Sequence, residues 1–248
     1  MPEIEVLPDK IALAEYAARK FITLAAEAIS RGGKFSAALS GGSTHQRMYT
    51  LLGKPGYASQ IDWPKVHIYW GDERCVPAEH PDSNFAMTRQ ALLDRVGIPA
   101  ENIHRIEGEL EPALAAIRYE AELKATFGSQ NFPRFDLVLL GLGEDGHTAS
   151  LFPGSPALNE HERWVVNVEH ITPPPPLVRR ITLTLPVLNA AAQVIFLVSG
   201  SSKAERLRQV LSDTREPNPL PAQLIIPANG NLLWLVDREA AIQVFPNL

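Results

Sequence analysis

The apolar residues of this chain follow two different spacings. Five short runs are almost continuously apolar, which is typical of strands buried on both faces in a parallel sheet; they are Phe35–Leu39, Val66–Trp70, Leu137–Leu140, Val194–Val198 and Leu232–Val236. Other stretches repeat apolar residues at helical spacing. The longest predicts a helix from Lys10 to about Ser30, with Asp9 as its N-cap and Gly32-Gly33 at its end. Strands and helices in alternation predict an α/β fold.

The remaining segments continue this alternation. Further helices are predicted at His45 to about Leu52, after Ser83 or Asn84, at about Pro112–Phe127, near Pro186, and after Lys203 and Asp237. Two more strands are predicted at Trp164–Val168 and Arg179–Pro186, the second with its threonines facing outward, and Pro173–Pro176 predicts a stiff loop. No repeat or composition break divides the chain, so residues 1–248 are predicted to form a single domain.

Composition and charge narrow the class of protein. The 248 residues are 45% hydrophobic and 21% charged, as in a soluble globular protein. A net charge of −5 without a Lys/Arg cluster argues against nucleic acid or an anionic membrane as the main partner. The single cysteine, Cys75, excludes an internal disulfide and a multi-cysteine zinc site, and we expect it to be a packed free thiol. The acidic start and the lack of a long apolar run predict a cytoplasmic protein.

Polar loops follow three of the predicted strands. Ser40–Thr44 (SGGST) leads into a helix, an arrangement that presents main-chain N–H groups and hydroxyls to a phosphate. Asp72–Arg74 (DER) follows the next strand, and Glu144–His147 (EDGH) follows the central one. In an open parallel sheet the ligand lies beyond the carboxyl ends of the strands. We therefore expect these loops to converge on one site.

Two of these loops could have a purely structural role, and the third strand is also followed by a sequence that fits a dinucleotide-binding motif. The turn at Asp145 and His147 could merely cap a short helix, and Asp72 could pair with Arg74 to hold its own loop. Gly141–Gly146 also fits the dinucleotide fingerprint G-x-G-x-x-G. Asp145 would bring a negative charge close to the pyrophosphate, and Pro153 would break the helix that has to follow. The sequence therefore disfavours a nicotinamide dinucleotide site.

Two cations complete the candidate chemistry. Arg180 lies at the start of one strand, and Lys203 lies at a helix start, where a cation is unfavourable unless it serves an anion. The sequence contains no H-E-x-x-H, G-x-S-x-G or Walker motif. An anion-binding loop, two cations, several carboxylates and an imidazole suit acid–base work on a small phosphorylated molecule. The residues leave hydrolysis, isomerisation and deamination open.

With these motifs the sequence resembles the 6-phosphogluconolactonases, within the larger group that includes glucosamine-6-phosphate isomerase/deaminase. The matching segments follow the family's order over nearly the whole chain: Leu39–Thr44, Gly71–Pro77 with Ser83-Asn84, Leu140–Gly154, Arg180–Pro186 with Asn189, Gly200–Ala204, and Leu220–Ala222 with Trp234–Asp237. One departure is His45, where the family usually has proline. Its loss should cost some loop rigidity without removing a phosphate donor.

The resemblance implies a three-layer sandwich, in which helices cover both faces of a mostly parallel, Rossmann-like sheet. It also implies hydrolysis of 6-phospho-D-glucono-1,5-lactone to 6-phospho-D-gluconate, a step of the oxidative pentose phosphate pathway. The phosphate would be bound by one set of residues, namely Gly41, Gly42, Ser43 and Thr44 with Arg180 and Lys203 as counter-charges.

The resemblance assigns the chemistry to a second set of residues. His147 would be the general base that activates water, oriented by Asp145, and Arg74 would stabilise the oxyanion on the lactone. Asp72 would orient Arg74 or a sugar hydroxyl. This reaction requires neither a cofactor nor a metal, and no spacing in the sequence fits a dedicated zinc site.

Two other functions remain possible on the sequence. An amino-sugar-phosphate isomerase/deaminase shares the scaffold, and it would release ammonia. A non-catalytic sugar-phosphate sensor would carry an added DNA-binding segment, whereas here the N-terminus is predicted to pass directly into the first helix. The expected partner is thus a small phosphorylated sugar lactone. The sequence leaves the oligomeric state open and is compatible with a monomer.

Overall fold

The computed structural model describes residues 3–170, 176–212 and 219–245, so the predicted loop at Pro173–Pro176 lies almost wholly outside the described residues. The helices are α1 (Lys10–Gly32), α2 (Ser43–Leu52), α3 (Pro55–Ala58), α4 (Asn84–Ala91), α5 (Pro112–Phe127), α6 (Leu185–Asn189), α7 (Ala204–Leu211) and α8 (Arg238–Ala241). The strands are β1 (Glu3–Leu7), β2 (Phe35–Leu39), β3 (Val66–Trp70), β4 (Asp72–Arg74), β5 (Ile103–His104), β6 (Leu137–Leu140), β7 (Val165–Val168), β8 (Arg180–Leu183), β9 (Gln193–Val198) and β10 (Asn231–Asp237).

The larger sheet is parallel throughout the described residues. Its seven strands lie in the order β1-β10-β9-β6-β2-β3-β5, and every neighbouring pair is parallel. All residues of β2, β6 and β9 are buried, as their apolar sequences require of strands with both faces covered. Helices flank this sheet. The prediction of an α/β sandwich with a mostly parallel sheet is confirmed.

Local sequence signals set the ends of the first helix. The Asp9 side chain accepts hydrogen bonds from the main-chain N–H groups of Ile11 and Ala12, at 2.8 and 2.9 Å. Gly33 ends α1 in the left-handed region (φ +77°), and its N–H donates to the Ile29 carbonyl. A residue with a side chain would be strained there, so glycine favours termination at this point.

A smaller antiparallel sheet, in the order β4-β8-β7, lies beside the main one. Its register places Asp72 opposite Thr182, and Arg74 opposite Arg180. The prediction that the threonines of this segment face outward was wrong, because Thr182 and Thr184 are fully buried. Since β8 is the middle strand of this sheet, its polar side chains must find partners inside the protein. The Thr182 hydroxyl, for example, donates to the Leu183 carbonyl at 3.0 Å.

The strand order creates a crevice between two central strands. From β2 the chain continues to β3 and β5 on one side, whereas from β6 it later continues to β9 and β10 on the other. Loops leaving β2 and β6 therefore diverge at adjacent positions, which is the topological switch point where α/β sheets bind ligands. The loops Ser40–Thr44 and Glu144–His147 both begin at this point.

Candidate active site

A cavity of about 450 Å³ opens at this switch point, beside the small sheet. Nine of the ten candidate residues line it, and the tenth, Asp145, contacts one of the nine. The candidates in the lining are Gly41, Gly42, Ser43, Thr44, Asp72, Arg74, His147, Arg180 and Lys203. Five separate segments of the chain thus bring their polar residues to one place. Their individual roles stay predictions.

The first turn of α2 forms one wall of the cavity. Gly42 precedes this helix with φ +101°, a conformation that favours glycine, and no side chain caps the helix N-terminus. The free N–H groups and the helix dipole therefore favour an anion at this position. The Thr44 hydroxyl lies 2.9 Å from the Ser199 hydroxyl, which joins this wall to the loop after β9.

Two arginines also line the cavity. Arg74 and Arg180 are directly opposite each other in the β4–β8 ladder, where like charges repel. Arg180 is only 4% exposed; its guanidinium donates to the Pro176 carbonyl at 3.2 Å, and that of Arg74 donates to the Asp82 carbonyl at 2.5 Å. Within the described residues neither arginine has a carboxylate partner within salt-bridge distance, and the Nε atoms of both are buried without a hydrogen-bond partner. Burial lowers the pKa of Arg180, although Asp72 opposes this effect.

His147 forms a hydrogen-bonded pair with Asp145. Its Nδ1 atom lies 2.5 Å from an Asp145 carboxylate oxygen, which also accepts from the His147 main-chain N–H at 3.1 Å. An ionised carboxylate can only accept, so the proton of the neutral imidazole lies on Nδ1 and Nε2 is left as an acceptor. Burial alone would raise the pKa of Asp145, but the hydrogen bonds and charge of His147 outweigh burial and lower it. A Cβ at Gly143 would overlap the His147 ring, so this position requires glycine.

Asp72 is buried at the base of the cavity and held from two sides. Its carboxylate accepts from the Ser150 hydroxyl at 2.6 Å and from the Asn84 amide at 3.3 Å. The described residues include no ion pair between Asp72 and Arg74, so the simpler interpretation of a structural Asp–Arg pair was wrong. A Cβ at Gly41 would overlap the Asn84 amide, which links the anion-binding loop to this carboxylate.

Glu73, between these two residues, is built into the structure. Its buried carboxylate accepts from the main-chain N–H groups of Arg74, Asn84 and Phe85 and from the Ser83 hydroxyl, at 2.7 to 3.0 Å. Burial raises its pKa, although these hydrogen bonds oppose the rise. The carboxylate thus satisfies the start of α4 and fixes the main chain that carries Arg74.

The loop that carries Lys203 is held by the end of β10. The main-chain N–H of Gly200 donates to the buried Asp237 carboxylate at 3.0 Å. The Lys203 ammonium lies 3.8 Å from the Glu144 carboxylate, at the rim of the cavity. Lys203 therefore faces the same space as the arginines, with one exposed acidic neighbour.

Comparison with known proteins agrees with this geometry. Residues 8–234 match the family described as glucosamine-6-phosphate isomerases/6-phosphogluconolactonase. The chain belongs to this family. The resemblance inferred from the sequence motifs is therefore confirmed.

Individual relatives cover nearly the full length. A protein named 6-phosphogluconolactonase from Nostoc sp. is 43% identical over 97% of this chain and 98% of its own, and one from Synechocystis sp. is 41% identical over 99% of both. The solved structure of 6-phosphogluconolactonase from Trypanosoma cruzi is 32% identical, with a TM-score of 0.87 over 100% of this chain and 97% of its own.

Several residues of the site received no role from the sequence. His45, Asn84 and Ser199 line the cavity, while Ser150 and Phe152 contact candidate residues. Asn84, Ser150 and Phe152 do lie in the matching family segments, so the signal was present but carried no chemistry by itself. His45 was noted only as a replaced proline. It is 2% exposed, and burial lowers its pKa to about 4, so its imidazole is neutral at pH 7.

Two other expectations can be compared with the structure. Cys75 is a half-buried free thiol whose pKa is raised to about 11, chiefly by burial, which agrees with the expected packed thiol. The glycine turn at Gly141–Gly146 leads into turns and not into a helix, so the dinucleotide fingerprint lacks its required context.

Two features are absent from the described residues, namely a metal-binding cluster and a helix able to cross a membrane. No group of three His, Cys, Asp or Glu side chains is arranged to hold a metal ion. None of the helices combines the length and the apolar character needed to cross a bilayer.

Proposed function

We propose that this protein hydrolyses 6-phospho-D-glucono-1,5-lactone to 6-phospho-D-gluconate, with water activated by His147. The observation that carries this proposal is the division of one cavity into two chemically different parts. One part offers two cations, of which Arg180 is buried, and a helix N-terminus without a side-chain cap, and the other offers an oriented imidazole. The names of the relatives, which cover nearly the whole chain, support the same reaction.

The phosphate would occupy the cationic part. Main-chain N–H groups at Gly42–Thr44 and the hydroxyls of Ser43 and Thr44 suit its oxygens, and Arg180 and Lys203 supply its counter-charge. A dianion between Arg180 and the start of α2 would relieve the repulsion between the two opposed arginines. Binding at this end would direct the lactone ring toward His147.

The chemistry would require one base and one electrostatic partner. Nε2 of His147 takes a proton from water as the water oxygen bonds to the lactone carbonyl carbon. The negative charge that develops on the carbonyl oxygen is stabilised by Arg74. The bond from this carbon to the ring oxygen then breaks, and the imidazolium returns its proton to the departing oxygen. Asp145 keeps the imidazole in the required tautomer and stabilises its protonated form.

Asp72 supports a second candidate, the amino-sugar-phosphate isomerase/deaminase. Its carboxylate lies in the cavity and is not neutralised by Arg74, so it could transfer a proton on a sugar. In the lactonase reaction the same carboxylate would bind a sugar hydroxyl. The two functions therefore use the same residue in different ways, and only products distinguish them.

One experiment separates the candidates. Freshly prepared 6-phosphogluconolactone should release acid much faster with the protein than without it, and the rate should survive EDTA treatment. Glucosamine 6-phosphate should release no ammonia. Ammonia release without lactone hydrolysis would replace the first candidate by the second, and binding of 6-phosphogluconate without turnover of either substrate would indicate a sensor.

A further inference from the structure

The Phe152 ring contacts one residue from each part of the cavity. The centre of its ring is 4.6 Å from that of His147, and the Arg180 guanidinium lies over the ring at 5.3 Å. The His170 ring stacks on it at 4.1 Å and nearly parallel, and Phe152 is almost fully buried. One aromatic ring thus contacts both the candidate base and a candidate phosphate ligand.

The main chain is strained to place this ring. Ala149 has φ +47°, and it is the only residue other than glycine with a positive φ among the described residues. Such a conformation is uncommon and costs free energy, so it persists only where surrounding contacts enforce it. Here the turn between Thr148 and Leu151 aims the Ser150 hydroxyl at Asp72 and returns the chain so that Phe152 faces His147.

His147 has few other constraints on its ring. Asp145 fixes Nδ1, and Gly143 lies against the ring edge, where any side chain would overlap it. Phe152 supplies an aromatic surface that limits rotation of the imidazole ring, which is otherwise held through its hydrogen bond to Asp145. Within the described residues, the Arg180 guanidinium donates one hydrogen bond, to the Pro176 carbonyl. A guanidinium within about 6 Å of an aromatic face is attracted to it.

We propose that Phe152 is a positioning residue that serves both parts of the site, holding the His147 imidazole for proton transfer and the Arg180 guanidinium for anion binding. This inference rests on the proposed function for its kinetic part only. Its binding part concerns an anion and is independent of the reaction. Because the same ring contacts His147 and Arg180, substitution of Phe152 should affect both kcat and phosphate affinity. The first effect would act through His147 and the second through Arg180.

The test uses Phe152→Leu, which keeps an apolar side chain but removes the ring. We expect kcat for the lactone to fall about tenfold, because a displaced base loses its alignment. We expect the Kd of inorganic phosphate, measured by calorimetry, to rise about fivefold, because the guanidinium loses its aromatic contact. Phe152→Tyr retains the ring and should restore both values. Phe132→Leu, at a partly buried ring whose aromatic contact is with Trp164, is the control and should change neither.

Double variants exclude a merely structural effect. In a His147→Asn background, Phe152→Leu should no longer lower kcat, and in an Arg180→Ala background it should no longer weaken phosphate binding. Effects that persist at full size in these backgrounds would overturn the inference, as would a Leu variant that behaves like the Phe132→Leu control. If the wild type hydrolyses no lactone, the proposed function fails, while the phosphate measurements still decide the binding part.

Discussion

The polar groups at the two ends of the cavity differ in how many partners they have within the protein. At the anion-binding end, Arg180 and the first turn of α2 have few partners within the described residues. At the other end, polar groups satisfy one another: His147 pairs with Asp145, and Asp72 accepts from Ser150 and Asn84. Unpaired groups gain much from a ligand, whereas paired groups are already oriented for a reaction. Binding and chemistry should therefore be separable by substitution.

The largest expected effect separates them at His147. A lost general base costs about 10²- to 10⁴-fold in rate. We expect His147→Asn to lower kcat into that range, while the inhibition constant of 6-phosphogluconate changes little, because we propose that the phosphate binds at the other end. In the wild type, kcat/KM should fall on acidification, since only an unprotonated general base can accept a proton from water. The lowered pKa of Asp145 keeps that carboxylate ionised near neutral pH.

The same variant, His147→Asn, can also show that His147 is not the general base. If His147 only stabilises its loop, His147→Asn should lower thermal stability and weaken product binding together. The fall of kcat/KM on acidification should then remain in the variant. A stable variant that retains more than about a tenth of the wild-type kcat would transfer the role of base to Asp72 or Asp145. Rates measured from pH 5.5 to 8 with both proteins distinguish these cases.

The second prediction concerns the cationic end. Glucono-1,5-lactone without its phosphate would leave Arg180, Lys203 and the start of α2 without their ligand, at a cost of several kcal/mol. We expect kcat/KM for this substrate to be lower by at least about a hundredfold. Arg180→Ala or Lys203→Ala should mainly raise KM for the phosphorylated lactone and narrow the difference between the substrates. Equal kcat/KM for both lactones in the wild type would refute the assignment of this end.

Sequence patterns recovered the parts of the fold that depend on burial. The main-sheet strands β2, β3 and β6 have the predicted ends, because a strand covered on both faces must be apolar throughout. The edge strand β1 was not predicted, since Glu3 and Glu5 interrupt its apolar character. The three polar residues of β4 also gave no strand signal. Its pairing with β8 is a long-range contact that no local pattern encodes.

The site could be predicted in membership but not in geometry. The sequence showed that glycine-rich loops and polar residues follow parallel strands, and such loops must meet at one edge of a sheet. It could not show that Arg74 lies directly opposite Arg180, because this depends on the register of two distant segments. Nor could it show that Asn84 and Ser150 hold Asp72, or that Ala149 has a positive φ.

His45 lies where the two ends meet, and it links the site to stability. The ordinary pKa of histidine is near 6.5, whereas burial lowers that of His45 to about 4, an effect opposed by the Leu140 and Gly41 carbonyls and by Asp72. Between these values the unfolded chain binds the proton more tightly than the folded one does. Above pH 6.5 His45 is neutral in both states and does not lower the free energy of unfolding. As the pH falls toward 4, protonation of the unfolded chain lowers the free energy of unfolding by up to about 3 kcal/mol.

This third prediction is tested by His45→Gln. The variant should lose less of its free energy of unfolding than the wild type between pH 7 and pH 4.5, as measured by urea denaturation at several pH values. His161→Gln, at an exposed histidine, should follow the wild type. Parallel pH profiles for His45→Gln and wild type would show that the imidazole is not held neutral by the fold.

The smallest expected effect lies at the rim of the cationic end. Glu144 is the acidic neighbour of Lys203, at 3.8 Å, and its side chain is 64% exposed. Removing this carboxylate should free the lysine and reduce repulsion of the phosphate, although exposed ion pairs contribute little. We expect Glu144→Gln to lower KM about two- to threefold at low salt with kcat unchanged, and the difference should shrink as added salt screens the charges. Glu101→Gln, at an exposed position that precedes β5 and so lies at the opposite edge of the sheet, should leave KM unchanged. A raised KM in Glu144→Gln would mean that the carboxylate orients Lys203 toward the phosphate. In that case the polar groups at both ends of the cavity would be held by partners within the protein.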